Sequence, residues 1–429
     1  MGTDGQITHL LAAAAVILCA AQVAGRLARR LHQPAVIGQL LAGLALGPTL
    51  LGRLPGGLTR LLLPPSVSAA LSGLAQLALV VFLFAVGCEL DLRVVRRRTR
   101  LVLNVAAAGF ALPLAVGLAL AIGFHREIAA LGGPRSLQPG PVLFLGVALS
   151  ITAVPVLTAV IRENRLQQTR VGVVSLAAAG LMDVLGWAVL TFALLTAAPQ
   201  GPAWPLRLAL LALLVLLLFA LRPLLRRLLM GTAGDPALRL GLLLGHACAV
   251  AWATSALGLH SIVGALLAGV CLPRTTPEGT VPVVVVERLH GIGALLLPFF
   301  FVLSAQPVDI SAIPPTGLLA LLVVTVAGIT VKVAAGALAS HGSDLSGRER
   351  LTVGTLLSTR GLTELIALNA GAQAGFIGGA LYGVLVLMAL ITTMATQPLL
   401  DVLLGKRLPA AEPVPRPVSD RASGGAAVG

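Results

Sequence analysis

Long apolar runs, separated by short charged or Pro/Gly-rich breaks, dominate the chain. A membrane-spanning helix needs about 20 consecutive, predominantly apolar residues. Runs of that kind lie at about 7–28, 34–50, 71–90, 101–124, 140–161, 170–197, 205–229, 237–257, 260–272, 287–305, 316–340, 351–375 and 380–404, so thirteen spans are predicted. The ninth is short, and the tenth opens on Glu287, Arg288 and His290. Apolar residues within the runs are continuous rather than alternating, which excludes a transmembrane β-barrel. The fold class is that of an all-α polytopic membrane protein.

Two predicted spans are interrupted. The fifth reads Ala148-Leu-Ser-Ile-Thr-Ala-Val-Pro155, and the twelfth reads Gly354-Thr-Leu-Leu-Ser-Thr-Arg-Gly361-Leu-Thr-Glu364. Each has a polar centre carrying Pro or Gly. Seven spans apart, they run through the membrane in opposite directions. Paired broken helices in two inverted halves point to an ion site near the midplane of a secondary transporter. A proline kink or a small-residue packing patch would explain either one alone; the matched pair favours transport.

Composition narrows the function classes. Hydrophobic residues make up 57% and charged residues 11%, against about 45–50% and about 25% in soluble domains. A soluble enzyme, a disordered chain and a repeat scaffold are excluded. The net charge of +14 does not indicate a nucleic-acid partner, because the basic residues form neither a groove nor an aromatic-interleaved patch. Most of them fall in alternate short loops, such as those with Arg26, Arg29 and Arg30 or Arg93 to Arg100. Arg53, Arg60, Arg126, Arg135 and Arg207 fall on the other side. That bias predicts an N-terminus outside and a C-terminus inside. Residues 406–429 read as a disordered cytoplasmic tail. Met1 to Leu10 has no basic n-region, so the first run reads as a retained helix. Cys19, Cys88, Cys248 and Cys271 form no CxxC pair, giving neither a metal motif nor a disulfide framework. No cofactor is implied, and no GxSG, HExxH or paired catalytic aspartate speaks for an intramembrane enzyme.

Of the 16 acidic residues, Asp183 and Glu364 alone lie deep within predicted spans. A carboxylate at that depth is costly unless paired, protonated or hydrated. Asp183 has no Arg or Lys within a turn of its own helix. It is therefore the candidate for exchanging a proton against a cation, ahead of a protonated structural aspartate. Lys332 and Lys406 are the only lysines. Lys332 lies mid-span, too deep to snorkel, and lysine, unlike arginine, can give up its charge when buried. A neutral Lys332, a pair with Asp183 and a pair with Glu364 are all open. Arg360 and Glu364 are four apart and share a helix face; a structural pair beside the break is the favoured reading. Glu89 and Asp91 end the third span as capping charges. His246 is expected to be a packed neutral histidine.

Further motifs accompany these residues: His32-Gln-Pro-Ala-Val-Ile-Gly-Gln-Leu-Leu-Ala-Gly-Leu-Ala-Leu-Gly-Pro48, Phe84-Ala-Val-Gly-Cys-Glu-Leu-Asp91, Ser150-Ile-Thr-Ala-Val-Pro-Val-Leu157, Asp183-Val-Leu-Gly-Trp187, Pro298-Phe-Phe-Phe-Val302 and Ser358-Thr-Arg-Gly-Leu-Thr-Glu-Leu365. In this order the chain resembles the second branch of the monovalent cation:proton antiporter superfamily, which includes bacterial Na⁺/H⁺ and K⁺/H⁺ exchangers and plant cation/proton exchangers. The resemblance implies thirteen spans in inverted repeats, with two crossed discontinuous helices. It implies a dimerisation domain at 7–92 and 237–305, a transport core at 101–197 and 316–405, and a linker helix at 205–230. It places the ion-binding aspartate on Asp183, unwound-chain contacts on Thr152 with Ser150 nearby, and the core lysine on Lys332. Family members usually carry Asp, Asn or Gln just before that aspartate; here the residue is Met182. One core carboxylate goes with electroneutral exchange in the family. The expectation is an electroneutral antiporter of H⁺ and Na⁺ or K⁺, a homodimer in the lipid of the inner (plasma) membrane. The rivals are another solute on the same scaffold and a non-transporting membrane sensor.

Overall fold

The structure, a computed structural model, describes residues 3–405 apart from 32, 56, 59–61, 90–99, 135–136, 197–203, 232–234, 258–259 and 273–282. The expected tail, Asp91 and Arg93 to Arg98 lie outside the described residues, as does the side chain of Glu89.

The described helices run in chain order as α1 (Thr3–Arg30), α2 (Ala35–Leu46), α3 (Pro65–Glu89), α4 (Arg100–Gly123), α5 (His125–Ala130), α6 (Pro139–Ser150), α7 (Val154–Glu163), α8 (Arg170–Leu195) and α9 (Trp204–Ala220). They continue as α10 (Arg222–Gly231), α11 (Pro236–Ala256), α12 (Ser261–Val270), α13 (Val283–Ala305), α14 (Pro315–Ala339), α15 (Gly347–Leu357), α16 (Leu362–Gln373) and α17 (Gly379–Leu404). Local sequence sets several starts. Thr169 caps α8 by accepting from Gly172 N at 3.1 Å, and Asp235 caps α11 by accepting from Ala237 N and Leu238 N at 3.0 Å each. Ser346 and Glu349 form a capping box at α15. Such caps satisfy amides that a helix leaves unpaired at its start.

Ten described helical segments are long and apolar enough to cross a membrane, and the bent pair α9 and α10 makes eleven. The protein is a multi-pass membrane protein. Its large outward-facing side chains include Leu213, Leu216, Leu319 and Leu322, the surface expected against hydrocarbon. Three of the thirteen predicted spans differ from a single long helix; the short ninth and the interrupted twelfth were expected, and the bend in the seventh was not. The seventh bends by 44° beside Leu221. The ninth is the ten-residue α12, about 15 Å at 1.5 Å per residue. The twelfth is split into α15 and α16, of 11 and 12 residues. Arg207, assigned above to an outer loop, is instead buried within α9, with Nη1 donating to Leu195 O at 3.5 Å.

The helices pack in two groups. In one, α3 lies against α12 and α13, α2 joins α1 to α13, and α11 covers α12. In the other, α4 packs on α6, α8 and α14, α15 packs on α14, and α17 covers both α14 and α15. Glycine lets α14 and α15 touch: a Cβ on Gly336 would run into the backbone of Gly354, and one on Gly354 into that of Val333. His246 of α11 is half-buried, edge-on to Phe84 with ring centroids 6.4 Å apart, in the first group. An apolar cavity of about 440 Å³ opens between α8, α9 and α12, beside Trp187, Phe192 and Val263.

Candidate functional site

Both interrupted spans break where the sequence places polar residues with Pro or Gly. Helix α6 stops at Ser150, residues 151–153 are extended, and α7 restarts with Pro155 in its first turn. Proline there removes an amide that would be unpaired in any case. Helix α15 stops at Leu357 and α16 restarts after Gly361, whose φ of 149° disfavours any L side chain. The two unwound segments cross and bond. Ala153 N donates to Thr359 O at 3.1 Å, and Thr152 Oγ1 donates to Leu357 O at 2.9 Å. Four half-helix ends therefore meet near the centre of the second group.

The cut carbonyl end of α6 is capped by side-chain donors. Arg360 donates through Nη1 to Ala148 O and through Nη2 to Leu149 O, each at 2.7 Å. Lys332, fully buried on α14, donates to Ser150 O and, at 2.7 Å, to Thr152 Oγ1. Orphan carbonyls at a helix C-terminus carry partial negative charge, so cations are stabilised there. Arg360 Nη1 also pairs with Glu364 Oε1 at 2.9 Å, with both side chains fully buried. The pairing expected from their four-residue spacing is present.

Asp183 sits mid-helix on α8 and is 8% exposed. Among the described residues its Oδ1 is buried and makes no hydrogen bond. No ion pair joins it to Lys332 among the described residues. Of the three states open for Lys332, neither carboxylate pair forms; its partners are the unwound chain. Ser150 contributes its carbonyl to that contact, while its hydroxyl turns back to Gly146 O at 2.9 Å. Met182 is buried, with its sulfur against Gly109 of α4. A Cβ on Gly109 would lie 3.1 Å from its sulfur and 3.4 Å from Leu357 Cδ1.

Thr393 of α17 was missed in the sequence. Its Oγ1 accepts from Arg360 N at 3.1 Å and shares its proton between Arg360 O and Ala389 O, each at 2.8 Å. It thus holds the backbone of the second break. The signal was present as a Thr-Thr pair inside an otherwise apolar run.

A buried carboxyl with an unbonded oxygen, on a helix packed against both broken spans, is chemically able to take up a proton or a small cation. The profile described as sodium/hydrogen exchanger, transmembrane, matches residues 14–402. The chain belongs to the sodium/hydrogen exchanger family. Among its relatives, cation/H(+) antiporter 15 of Arabidopsis thaliana is 32% identical over 381 residues, covering 87% of this chain and 45% of the relative. The Na(+)/H(+) antiporter NhaS4 of Synechocystis sp. is 30% identical over 397 residues, covering 91% and 96%. The chain spans about half the length of the Arabidopsis relatives it matches. The fold is also that of the sodium proton antiporter MjNhaP1 from Methanocaldococcus jannaschii, with a TM-score of 0.67, 16% identity, and coverage of 93% of this chain and 99% of that one. In this family member, then, the crossed helices and Asp183 stand in a fold shared with a solved antiporter.

Proposed function

We propose that the protein is a secondary antiporter that exchanges Na⁺ or K⁺ for H⁺ by alternating access. The observation that carries this reading is the Asp183 carboxyl, buried mid-helix beside the crossing with an oxygen left unbonded. Asp183 takes a proton or a cation but not both, so competition at one carboxylate couples the two fluxes. Monovalent cations of this kind prefer hard oxygen ligands, by the logic that applies to other hard cations. Thr152 Oγ1, on the extended segment, and the Ser150 carbonyl, at the end of α6, are the further oxygens of this reading, both contacted by Lys332. Arg360 and Glu364 neutralise one another and fix the crossing. The relatives named cation/H(+), K(+)/H(+) and Na(+)/H(+) antiporters support the reading.

In this reading the group of α4, α6 to α8 and α14 to α17 is the moving core. The group of α1 to α3 and α11 to α13 is the scaffold on which two copies dimerise, and α9 with α10 links them. The two halves are inverted repeats in the plasma membrane, with the N-terminus outside and the C-terminus in the cytoplasm. The test is flux in proteoliposomes under an imposed pH gradient, with Na⁺, K⁺ and a non-transported cation compared in turn. Cation-dependent collapse of the gradient supports the proposal; proton retention with every cation refutes it.

A further inference from the structure

A chain of neutral side chains joins the two helix groups at one membrane face, where α13 and α16 end and α12 and α17 begin. His260, the residue before α12, accepts from Ile262 N through Nδ1 at 3.3 Å. Its Nε2 proton therefore goes outward, to Gln373 Oε1 at 3.0 Å. Gln373 Nε2 donates to Asn369 Oδ1 at 3.3 Å, and Asn369 Nδ2 donates to Ser304 Oγ at 2.9 Å and Tyr382 OH at 3.4 Å. Tyr382 OH donates to Ser304 O at 2.8 Å. His260 and Ser304 belong to the first helix group; Asn369, Gln373 and Tyr382 belong to the second. Further along α17, toward the other face, Gln33 Nε2 reaches Met394 O at 3.4 Å, a single long contact. The polar connection between the groups is thus concentrated at one face.

The geometry points to a latch: Tyr382, Asn369 and Gln373 on one side and Ser304 and His260 on the other hold the two groups together at this face. The latch parts whenever the site at Asp183 opens there. The inference rests on the alternating-access reading above. Its chemistry suits a contact that breaks and re-forms. Every link is uncharged, and Gln373, next to the His260 end, is exposed, so water can enter from that end and replace the bonds in turn as the face opens. The buried Arg360–Glu364 pair is the opposite case, since separating buried charges is costly. An apolar seam would close the face but would not fix one register; donors and acceptors in sequence do.

Tyr382 is the only tyrosine in the chain, so 3-fluorotyrosine incorporated into the full chain gives a fluorine NMR signal from the latch alone. In lipid nanodiscs the spectrum should show a major bonded resonance and a minor open one. Asn369→Ala, which removes the middle link, should raise the minor population by about two- to tenfold, the range for one neutral hydrogen bond. Gln373→Ala, at an exposed position, should act in the same direction and stands in if Asn369→Ala does not fold. In proteoliposomes Tyr382→Phe should change the ratio of half-saturating cation concentrations at the two faces by a similar factor. One resonance unchanged by either alanine variant, or an unchanged ratio in Tyr382→Phe, overturns the latch. If the unsubstituted protein moves no cation, the transport reading fails while the fluorine spectra still decide whether the link parts.

Discussion

Asp183 lies next to Met182, whose thioether is a poor ligand for a hard cation, so in the proposed reading the cargo is held by one carboxyl with help from backbone and hydroxyl oxygens. Asp183→Asn should abolish cation-dependent proton movement, to below about one hundredth of the starting rate, while leaving expression and size-exclusion behaviour intact. Comparable flux in that variant would remove Asp183 from the mechanism. Because protons compete for the same group, the apparent KM for the cation should rise as pH falls; a KM independent of pH would show that protons bind elsewhere. Lys332 has a different task. Lys332→Gln leaves the Ser150 carbonyl and Thr152 hydroxyl short of a buried donor, a loss of about 1–3 kcal/mol. The variant should melt earlier in detergent and show a shifted pH profile, yet still bind cation, since the lysine is no cation ligand. An unchanged melting temperature and pH profile would make Lys332 a bystander.

At the scale of elements, the crossing depends on a backbone that α-helix cannot supply. Gly361 sits at φ 149°, and a Cβ there would come within 2.8 Å of Val156 Cγ2. Gly361→Ala should therefore cost about 1–3 kcal/mol through backbone strain alone, read as a lower midpoint in thermal unfolding. It should also reduce exchange more than Gly347→Ala, where a Cβ meets open space. The breaks themselves were legible in the sequence, because Pro155, Gly361 and the clustered Ser and Thr residues are poor helix-interior choices in an apolar run. The Arg360–Glu364 pair was legible because helical period brings i and i+4 together. The partners of Lys332 were not. One of them is a main-chain carbonyl 182 residues away, and every residue carries a carbonyl. Thr393 was passed over for a related reason: threonines in membrane helices usually bond within their own helix, and only the crossing gives this one a second job. The brevity of α12 was legible as well, and the bend beside Leu221 falls two residues before Pro223, whose missing amide interrupts the helix ladder.

For the whole molecule, the decisive quantity is the charge that moves. In the proposed reading, proton and monovalent cation each neutralise the carboxylate of Asp183, so both loaded forms of the core carry equal charge. Exchange should therefore be electroneutral. Recordings on solid-supported membranes should show no net transport current, and an imposed membrane potential should leave the exchange rate unchanged; a sustained current with more than one proton per cation would defeat this.

The Arg360 guanidinium and the Lys332 amine seated on the last carbonyls of α6 have one more consequence. The negative end of a cut helix is an electrical liability where the surroundings are apolar. Here the chain's own side chains quiet it, so the break is furnished from within and needs no guest to make it tolerable.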